Sequence, residues 1–294
     1  MPARVVTIGT VRELAQIRTL ARMLVEHDAT AVTHALLLDD VDATAEADRE
    51  PFVLVQPIEL GLDEAQLRGL ALAIDERALR AHLKPAFLRA MLERTDSEPI
   101  VFLAPHTAVY GDLEPLLDAA AGGGIALVPR VLELPPAHDG DRAARMVAAG
   151  ALDENCFAIA PGIATTELLA FAQSAIEQSD HRHPPGWLEH ALALVPKASI
   201  VRDPGLAVAA WNLAERSVRA GPDGIGGPRV GRHPLRTIVF SGFDPRRPGG
   251  LAADEGGADL AGRPELARLC FAYARALWQA GWDEFADRTY GFDA

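Results

Sequence analysis

The stretch that decides the fold is IVFLAPHTAVYGDLEPLLDAAAGGGIALVP, residues 100–129. It opens with four apolar residues, 100–103, and a short apolar run bounded by a turn is typical of a buried strand. The turn is Ala104-Pro105-His106. A helix is predicted to follow, with Asp112 as its N-cap and with its end at the glycines 122–124. Residues 125–128 are again apolar, so the stretch predicts a strand, a helix and a second strand.

The chain before this stretch alternates strand and helix patterns. We predict strands at residues 5–8, 35–38 and 52–55, and a helix over residues 11–27, where apolar residues recur with helical spacing. A further helix is predicted throughout residues 63–92, with Pro85 restarting it. This order favours a mainly parallel sheet with helical crossovers.

The chain after this stretch continues the same alternation. Strands are predicted at residues 156–160, 199–201 and 235–240, helices at 142–150, 165–178 and 187–195, and a glycine-rich loop or hairpin at 221–231. A helical pair at about 263–292 closes the chain. We therefore expect an α/β protein, a three-layer sandwich with one domain over residues 1–294.

Composition and charge exclude several classes of function. The formal net charge of −13 argues against nucleic acid and against anionic lipid, because like charges repel. No apolar run is long enough for a transmembrane helix, and the first residues lack the layout of a signal peptide, so a cytoplasmic protein is expected. Cys156 and Cys270 are far apart in sequence and are expected to be buried free thiols.

Two strand ends carry candidate ligand contacts. Ligands of parallel sheets bind at the carboxyl ends of the strands. The candidates for nucleotide contacts are therefore Ile8, Gly9 and Thr10 after the first strand, and Asp39 and Asp40 after the second. For both acids, an exposed loop carboxylate is an equally good interpretation.

Four motifs resemble those of bacterial nucleotide-sugar glycosyltransferases of the GT-A fold. They are the frame Leu103-Ala104-Pro105-His106, the segment 81–89 around Lys84-Pro85, the run Arg202-Asp203-Pro204-Gly205 with Trp211-Asn212-Leu213-Ala214-Glu215-Arg216, and Ser241-Gly242-Phe243-Asp244-Pro245. The resemblance covers about residues 4–293. It implies a GT-A-like, Rossmann-like domain that binds a nucleotide sugar such as a UDP-sugar.

The resemblance also implies that a metal site is lost. Family members bind a divalent metal with two acids of a D-x-D motif and with a histidine before F-S-G. The matching positions here are Ala104, His106 and Val239. Alanine and valine cannot bind a metal, and a lone histidine is a poor site for Mg²⁺ or Mn²⁺. We therefore expect no metal cofactor.

Cationic side chains could replace the metal against the donor's diphosphate. The candidates are Lys84, Arg202, Arg246 and Arg247, with a surface lysine and flexible loop arginines as the alternatives. The diphosphate is expected between the turn at residues 104–106 and the loop at 241–247.

The other donor contacts that the resemblance implies are Trp211, Asn212, Ser241 and Gly242. Counting back from Leu194-Val195-Pro196, an Asp-Gln pair of the family falls at Leu188-Glu189, so the pair is not kept, but Glu189 is still a candidate general base or nucleophile. A helix-surface glutamate is the alternative.

Two functions fit these residues. The first is a metal-independent transferase that moves a sugar from a nucleotide sugar to a carbohydrate or metabolite acceptor. The second is a catalytically inactive relative that binds sugar nucleotides or glycans and partners an active glycosyltransferase. Convergence of Lys84, Arg246 and Arg247 on one cleft would favour the first, and a cleft filled by apolar side chains would favour the second.

Overall fold

The strands and helices follow one another in the predicted alternation. The computed structural model describes residues 3–39, 48–94, 98–134, 140–179, 186–221, 227–251, 260–288 and 290–292. The strands are β1 Arg4–Gly9, β2 Val32–Leu37, β3 Val53–Val55, β4 Ile100–Leu103, β5 Thr107–Val109, β6 Ile125–Pro129, β7 Leu152–Ile159, β8 Ser199–Ile200, β9 Val208–Ala209, β10 Val218–Arg219, β11 Arg229–Val230, β12 His233–Pro234 and β13 Thr237–Val239. The α-helices are α1 Leu14–His27, α2 Glu64–Ala73, α3 Glu76–Arg94, α4 Glu114–Gly123, α5 Gly140–Ala149, α6 Ile163–Gln178, α7 Ala191–Leu194, α8 Pro264–Gln279 and α9 Trp282–Phe285. Short 3₁₀ helices are Val11–Glu13, Pro57–Leu60, Leu188–His190 and Ala210–Asn212.

A seven-stranded sheet with the order β3-β2-β1-β4-β7-β6-β8 forms the centre of the protein. All of its neighbouring pairs are parallel except those of β7, which is antiparallel to both β4 and β6. The expected α/β class with a mainly parallel central sheet is confirmed. Because β7 runs backwards, the end of β6 and the start of β7 lie at the same edge as the carboxyl end of β4.

The central strands are apolar because both faces of the sheet are covered. All four residues of β4 are at most 2% exposed. Val101 and Leu103 pack in one apolar cluster with residues of α1 and α4, while Ile100 and Phe102 pack in the other with residues of α3 and α6. Burial on both sides removes the need for polar residues, which explains the continuous apolar run of this strand.

The prediction of one helix over residues 63–92 is wrong at residues 74 and 75. The helix α2 ends at Ala73 and α3 begins at Glu76, and the Asp75 carboxylate accepts a 2.8 Å hydrogen bond from the Ala78 N–H in the first turn of α3. Pro85 lies within α3 and does not restart it. Because the chain changes direction at this break, α3 packs against the central sheet, and Lys84 lies at the carboxyl edge of the strands.

A second sheet, β5-β13-β9, lies beside the carboxyl edge of β4. The antiparallel pairing of β5 with β13 sets Thr107 opposite Val239. Sequence reasoning predicted no strand at β5.

The predicted N-cap of α4 is wrong by one residue, because Leu113 holds that position, although Asp112 still accepts a 3.3 Å hydrogen bond from the Glu114 N–H. Asp112 is drawn away by a 2.6 Å ion pair with Arg236.

No helix in the described part of the chain is both long enough and apolar enough to cross a membrane.

Two adjacent glycines of α4 test this packing. A Cβ on Gly123 would lie 2.2 Å from the backbone carbonyl oxygen of Lys197, whereas a Cβ on Gly122 would meet open space. We expect Gly123→Ala to lower the free energy of unfolding by roughly 1–3 kcal/mol, as overpacking does. Gly122→Ala should instead raise it by about 0.5–1 kcal/mol, because alanine favours a helix. Equal effects of the two changes in urea unfolding would contradict this approach of α4 to Lys197.

Candidate functional site

The carboxyl ends of β1 and β4 meet directly. A Cβ on Gly9 would lie 3.2 Å from Cγ of Pro105, so the end of β1 touches the turn after β4. Of the predicted nucleotide contacts in this region, Ile8 and Thr10 are fully buried and Ala104 is 6% exposed. The strand ends lie where the sequence predicted them, but their side chains are covered.

Asp39 is a buried structural carboxylate. It is 3% exposed, and its oxygens accept hydrogen bonds from the backbone N–H of Val11 at 2.8 Å and of Gly291 at 3.2 Å. Burial raises its pKa above the ordinary value. The interpretation of Asp39 as an exposed loop acid is therefore wrong, and a nucleotide would have to displace Gly291 to reach it. Asp40 lies outside the described residues.

An ion-pair network that the sequence did not reveal covers the end of β1. Arg80 of α3 donates to Glu13 at 2.6 and 3.0 Å, to Glu76 at 2.7 Å and to the Ile8 carbonyl at 3.2 Å. Burial alone would raise the pKa of Glu13, but Arg80 outweighs burial and lowers it. Arg12 also pairs with Glu76. Two arginines are thus neutralised by two carboxylates at the place where the donor was expected.

Lys84 is a buried lysine with few hydrogen-bond partners among the described residues. It is 9% exposed, its Nζ lies 3.5 Å from the Glu154 carbonyl oxygen, and it stands 4.5 Å over the ring centroid of Phe102. No ion pair joins it to a carboxylate of the described residues. Burial lowers its pKa below the ordinary value. The alternative of a surface lysine is therefore wrong, and of the three N–H donors that a protonated lysine carries, at least two have no acceptor among the described residues.

The three positions that the resemblance aligns with the family's metal ligands do not carry a ligand set that fits a divalent cation. Ala104 and Val239 carry only hydrocarbon side chains, and Val239 is 1% exposed within β13. Burial lowers the pKa of His106 from an ordinary value of 6.5 to about 4, so this imidazole is neutral at physiological pH. In the described part of the chain, no three His, Cys, Asp or Glu side chains are grouped as metal ligands.

Glu189 lies on an exposed 3₁₀ helix at the same edge, close to the start of β7. Its carboxylate lies 2.7 Å from the position of a Cβ on Gly150 and 3.2 Å from that of a Cβ on Gly186. The Glu154 carboxylate lies 3.8 Å from the same Gly186 position. Both carboxylates approach Gly186, but only that of Glu154 also acts electrostatically on Lys84, which leaves both interpretations of Glu189 open.

The motif from Arg202 to Arg216 is mainly structural. Asn212 is fully buried, accepts from the Ala209 N–H at 2.8 Å and donates to the Ala207 and Arg130 carbonyls at 2.9 and 3.0 Å. Its prediction as a donor contact is therefore wrong, because no part of its side chain is accessible. Arg202 is exposed, and Trp211 is half-buried.

The loop after β13 starts next to the turn at His106. The N–H of Phe240 donates to the His106 carbonyl at 2.8 Å, which places Ser241 and Gly242 at this edge. Arg246 is turned elsewhere, with its Nε 3.0 Å from the Asp244 carboxylate and a guanidinium nitrogen 3.8 Å from Asp287. Arg247 is exposed. No described contact joins these arginines to Lys84, so convergence of the three cations is not observed.

Comparisons with known proteins give structural matches only. No family model and no curated protein match the sequence. The galactosyltransferase LgtC, solved with donor and acceptor sugar analogs, has a TM-score of 0.50 and 14% identity, over 90% of this chain and 95% of that chain. A glycosyltransferase involved in glycosylation of the major capsid of PBCV-1 has a TM-score of 0.47 and 8% identity, over 92% and 98%. GlyE of Streptococcus pneumoniae TIGR4 has a TM-score of 0.39 and 13% identity over 69% of this chain, which spans only 46% of that protein. The match to LgtC shows the fold alone, and that fold is the GT-A fold that the motifs predicted.

The neutral state of His106 predicts how stability depends on pH. The unfolded chain binds a proton near the ordinary pKa of 6.5, whereas the folded state does so only near 4. The free energy of unfolding should therefore fall as pH drops from about 6.5 to 4, by roughly 3 kcal/mol. The change His106→Gln should flatten this decline in urea titrations, and His27→Gln, which alters an exposed histidine, should leave it unchanged. An unaltered profile for His106→Gln would contradict the buried neutral imidazole.

Proposed function

We propose that this protein binds a nucleotide sugar and transfers the sugar to a carbohydrate or metabolite acceptor without a divalent metal. The observation that carries the proposal is Lys84, a buried ammonium at the carboxyl edge of β4 with donors that no described side chain uses. Its Nζ stands 4.5 Å over the ring of Phe102, which precedes by two residues Ala104, one of the positions where the resembling enzymes hold their metal.

Lys84 has the chemistry that this reaction requires. Negative charge grows on the diphosphate as the bond to the sugar breaks, and a cation fixed in advance stabilises that charge most when it is shielded from water. Burial has already removed most water from Lys84, so the binding of a phosphate oxygen would restore the favourable surroundings that the ammonium lacks. Glu154, whose backbone carbonyl lies 3.5 Å from Lys84 Nζ, and Glu189, whose carboxylate lies near the same glycine as that of Glu154, are the candidate bases for the acceptor hydroxyl.

A second candidate is a non-catalytic protein that binds sugar nucleotides or glycans and partners an active glycosyltransferase. It is favoured by the closure of the donor region, where Asp39 is tied to Gly291 and Arg80 is neutralised by Glu13 and Glu76. Donor hydrolysis in EDTA separates the two candidates. Release of the sugar by the wild-type protein in EDTA supports the transferase, and tight binding without turnover supports the inactive protein.

The two lysines of the chain give a matched test of Lys84. We expect nucleotide sugars to raise the melting temperature equally with and without Mn²⁺, because binding stabilises the folded state. Lys84→Met removes one charge-assisted contact of roughly 1.5–3 kcal/mol and should weaken binding at least about tenfold. Lys197→Met makes the same chemical change at the other lysine and should leave affinity unchanged. Shifts that require Mn²⁺, or equal affinity of Lys84→Met and wild type, would refute the proposed role of Lys84.

The loop arginines make a separate contribution if the diphosphate also reaches residues 241–247. The double change Arg246→Ala and Arg247→Ala should then weaken nucleotide-sugar binding at least about tenfold, because two charged donors are lost. Calorimetric titration of the double variant measures this. Unchanged affinity would place the diphosphate nearer Lys84 and away from this loop.

A further inference from the structure

Arg130 is a cation at the same edge that the proposed function does not use. It directly follows β6, and its guanidinium carbon lies 4.2 Å over the ring centroid of Trp211. Both side chains are half-buried. A guanidinium held over an indole ring by a cation–π contact still has N–H groups that can donate to a ligand.

The backbone on both sides of this stack is fixed by several hydrogen bonds. The Arg130 N–H donates to the Ala151 carbonyl at 2.9 Å, and the Arg130 carbonyl accepts from Asn212 at 3.0 Å. Arg216 donates to the Pro129 carbonyl at 2.8 Å. The Glu215 carboxylate accepts from the backbone N–H groups of residues 132 and 133 at 2.8 and 2.7 Å. The sequence motif that ends in Glu215-Arg216 thus holds Arg130 in place before any ligand arrives.

The hydrogen-bonding groups around this stack are incompletely satisfied. Arg130 forms no ion pair or side-chain hydrogen bond with any residue that the structure describes. The indole N–H of Trp211 and one carboxylate oxygen of Asp153 are buried, and neither has a hydrogen-bond partner among the described residues. Asp153 lies within electrostatic reach of both Arg130 and Lys84. In the order of the sheet, β7 lies between β4, whose Phe102 ring lies under Lys84, and β6, which Arg130 follows, so Arg130 stands across β7 from the proposed donor site.

We propose that the Arg130–Trp211 stack binds an anionic group of the acceptor, so that the preferred acceptors are carbohydrates or metabolites that carry a phosphate or a carboxylate. This inference rests on the proposed function. A half-buried guanidinium in a fixed position matches the two oxygens of such a group better than it matches a hydroxyl. A net charge of −13 repels anions from the rest of the surface, so the local cation selects for this group.

The test compares glucose 6-phosphate and glucuronate with glucose, by calorimetric titration of the whole protein. The two anionic sugars should bind at least about tenfold more tightly than glucose. Arg130→Gln should remove that advantage, and Arg130→Lys should keep part of it, because a lysine retains the charge but not the paired donors. Arg145→Gln is the matched control, since it removes the same charge from an exposed position on α5 in the same connection between β6 and β7. The melting temperature of each variant confirms that it is folded.

Three results would overturn the inference. The first is equal affinity of the protein for the anionic sugars and for glucose. The second is an equal loss of affinity for the anionic sugars in Arg130→Gln and Arg145→Gln. The third is displacement of glucose 6-phosphate by UDP, which would assign Arg130 to the donor's phosphates. Its failure is distinguishable from failure of the proposed function. If only the inference about Arg130 fails, nucleotide sugars still bind in a way that depends on Lys84, but no binding of anionic sugars depends on Arg130. If only the proposed function fails, anionic sugars bind in a way that depends on Arg130, but nucleotide sugars do not bind. The second result would refute the transferase and keep the anion site.

Discussion

The hydrogen bonds of the fully buried Arg216 guanidinium are the interaction on which the arrangement of the central sheet and the β5-β13-β9 sheet depends. The guanidinium donates to the backbone carbonyls of Leu206, Ala207 and Pro129, which joins the end of β6 to the segment that leads into β9. A buried charge is costly unless hydrogen bonds compensate it, and here carbonyl oxygens and Glu215 do so. Ala207 has a φ of 48°, a left-handed conformation that a residue with a Cβ keeps only when its surroundings impose it. The buried guanidinium and the hydrogen bond from the Ala207 N–H to Thr237 impose that conformation.

The order of elements could be predicted from the sequence because each pattern reports local burial. The runs at residues 5–8, 100–103 and 125–128 became strands because they lie between two layers of helices. The direction of β7 could not be predicted, because a strand buried on both faces has the same apolar sequence whether it runs parallel or antiparallel. The break between α2 and α3 depends on the single carboxylate of Asp75, which a helical pattern does not distinguish from a surface acid.

The candidate site was predictable in position and less so in its interactions. The resemblance predicted that residues 8–10, 104–106 and 241–242 lie at one edge of the central sheet, and they lie there in the structure. It could not show that Asp39 is covered by Gly291, because these residues are far apart in the chain. Arg80 and Glu13 were missed for the same reason, since charged residues on predicted helices are ordinarily assigned to solvent. No sequence pattern indicated a functional role for Arg130, because its position depends on contacts with Trp211 and Asn212.

The reversed direction of β7 has a consequence for how such a protein can vary among species. The connection between β6 and β7 leaves and re-enters the sheet at neighbouring positions, with Pro129 paired to Leu152. A segment whose two ends are held together at its base can grow, shrink or be replaced at little cost to the strands, because the cost of closing a loop rises slowly with its length. It is therefore a natural place for evolutionary insertion and exchange, by which homologues can acquire different partners on an unchanged scaffold.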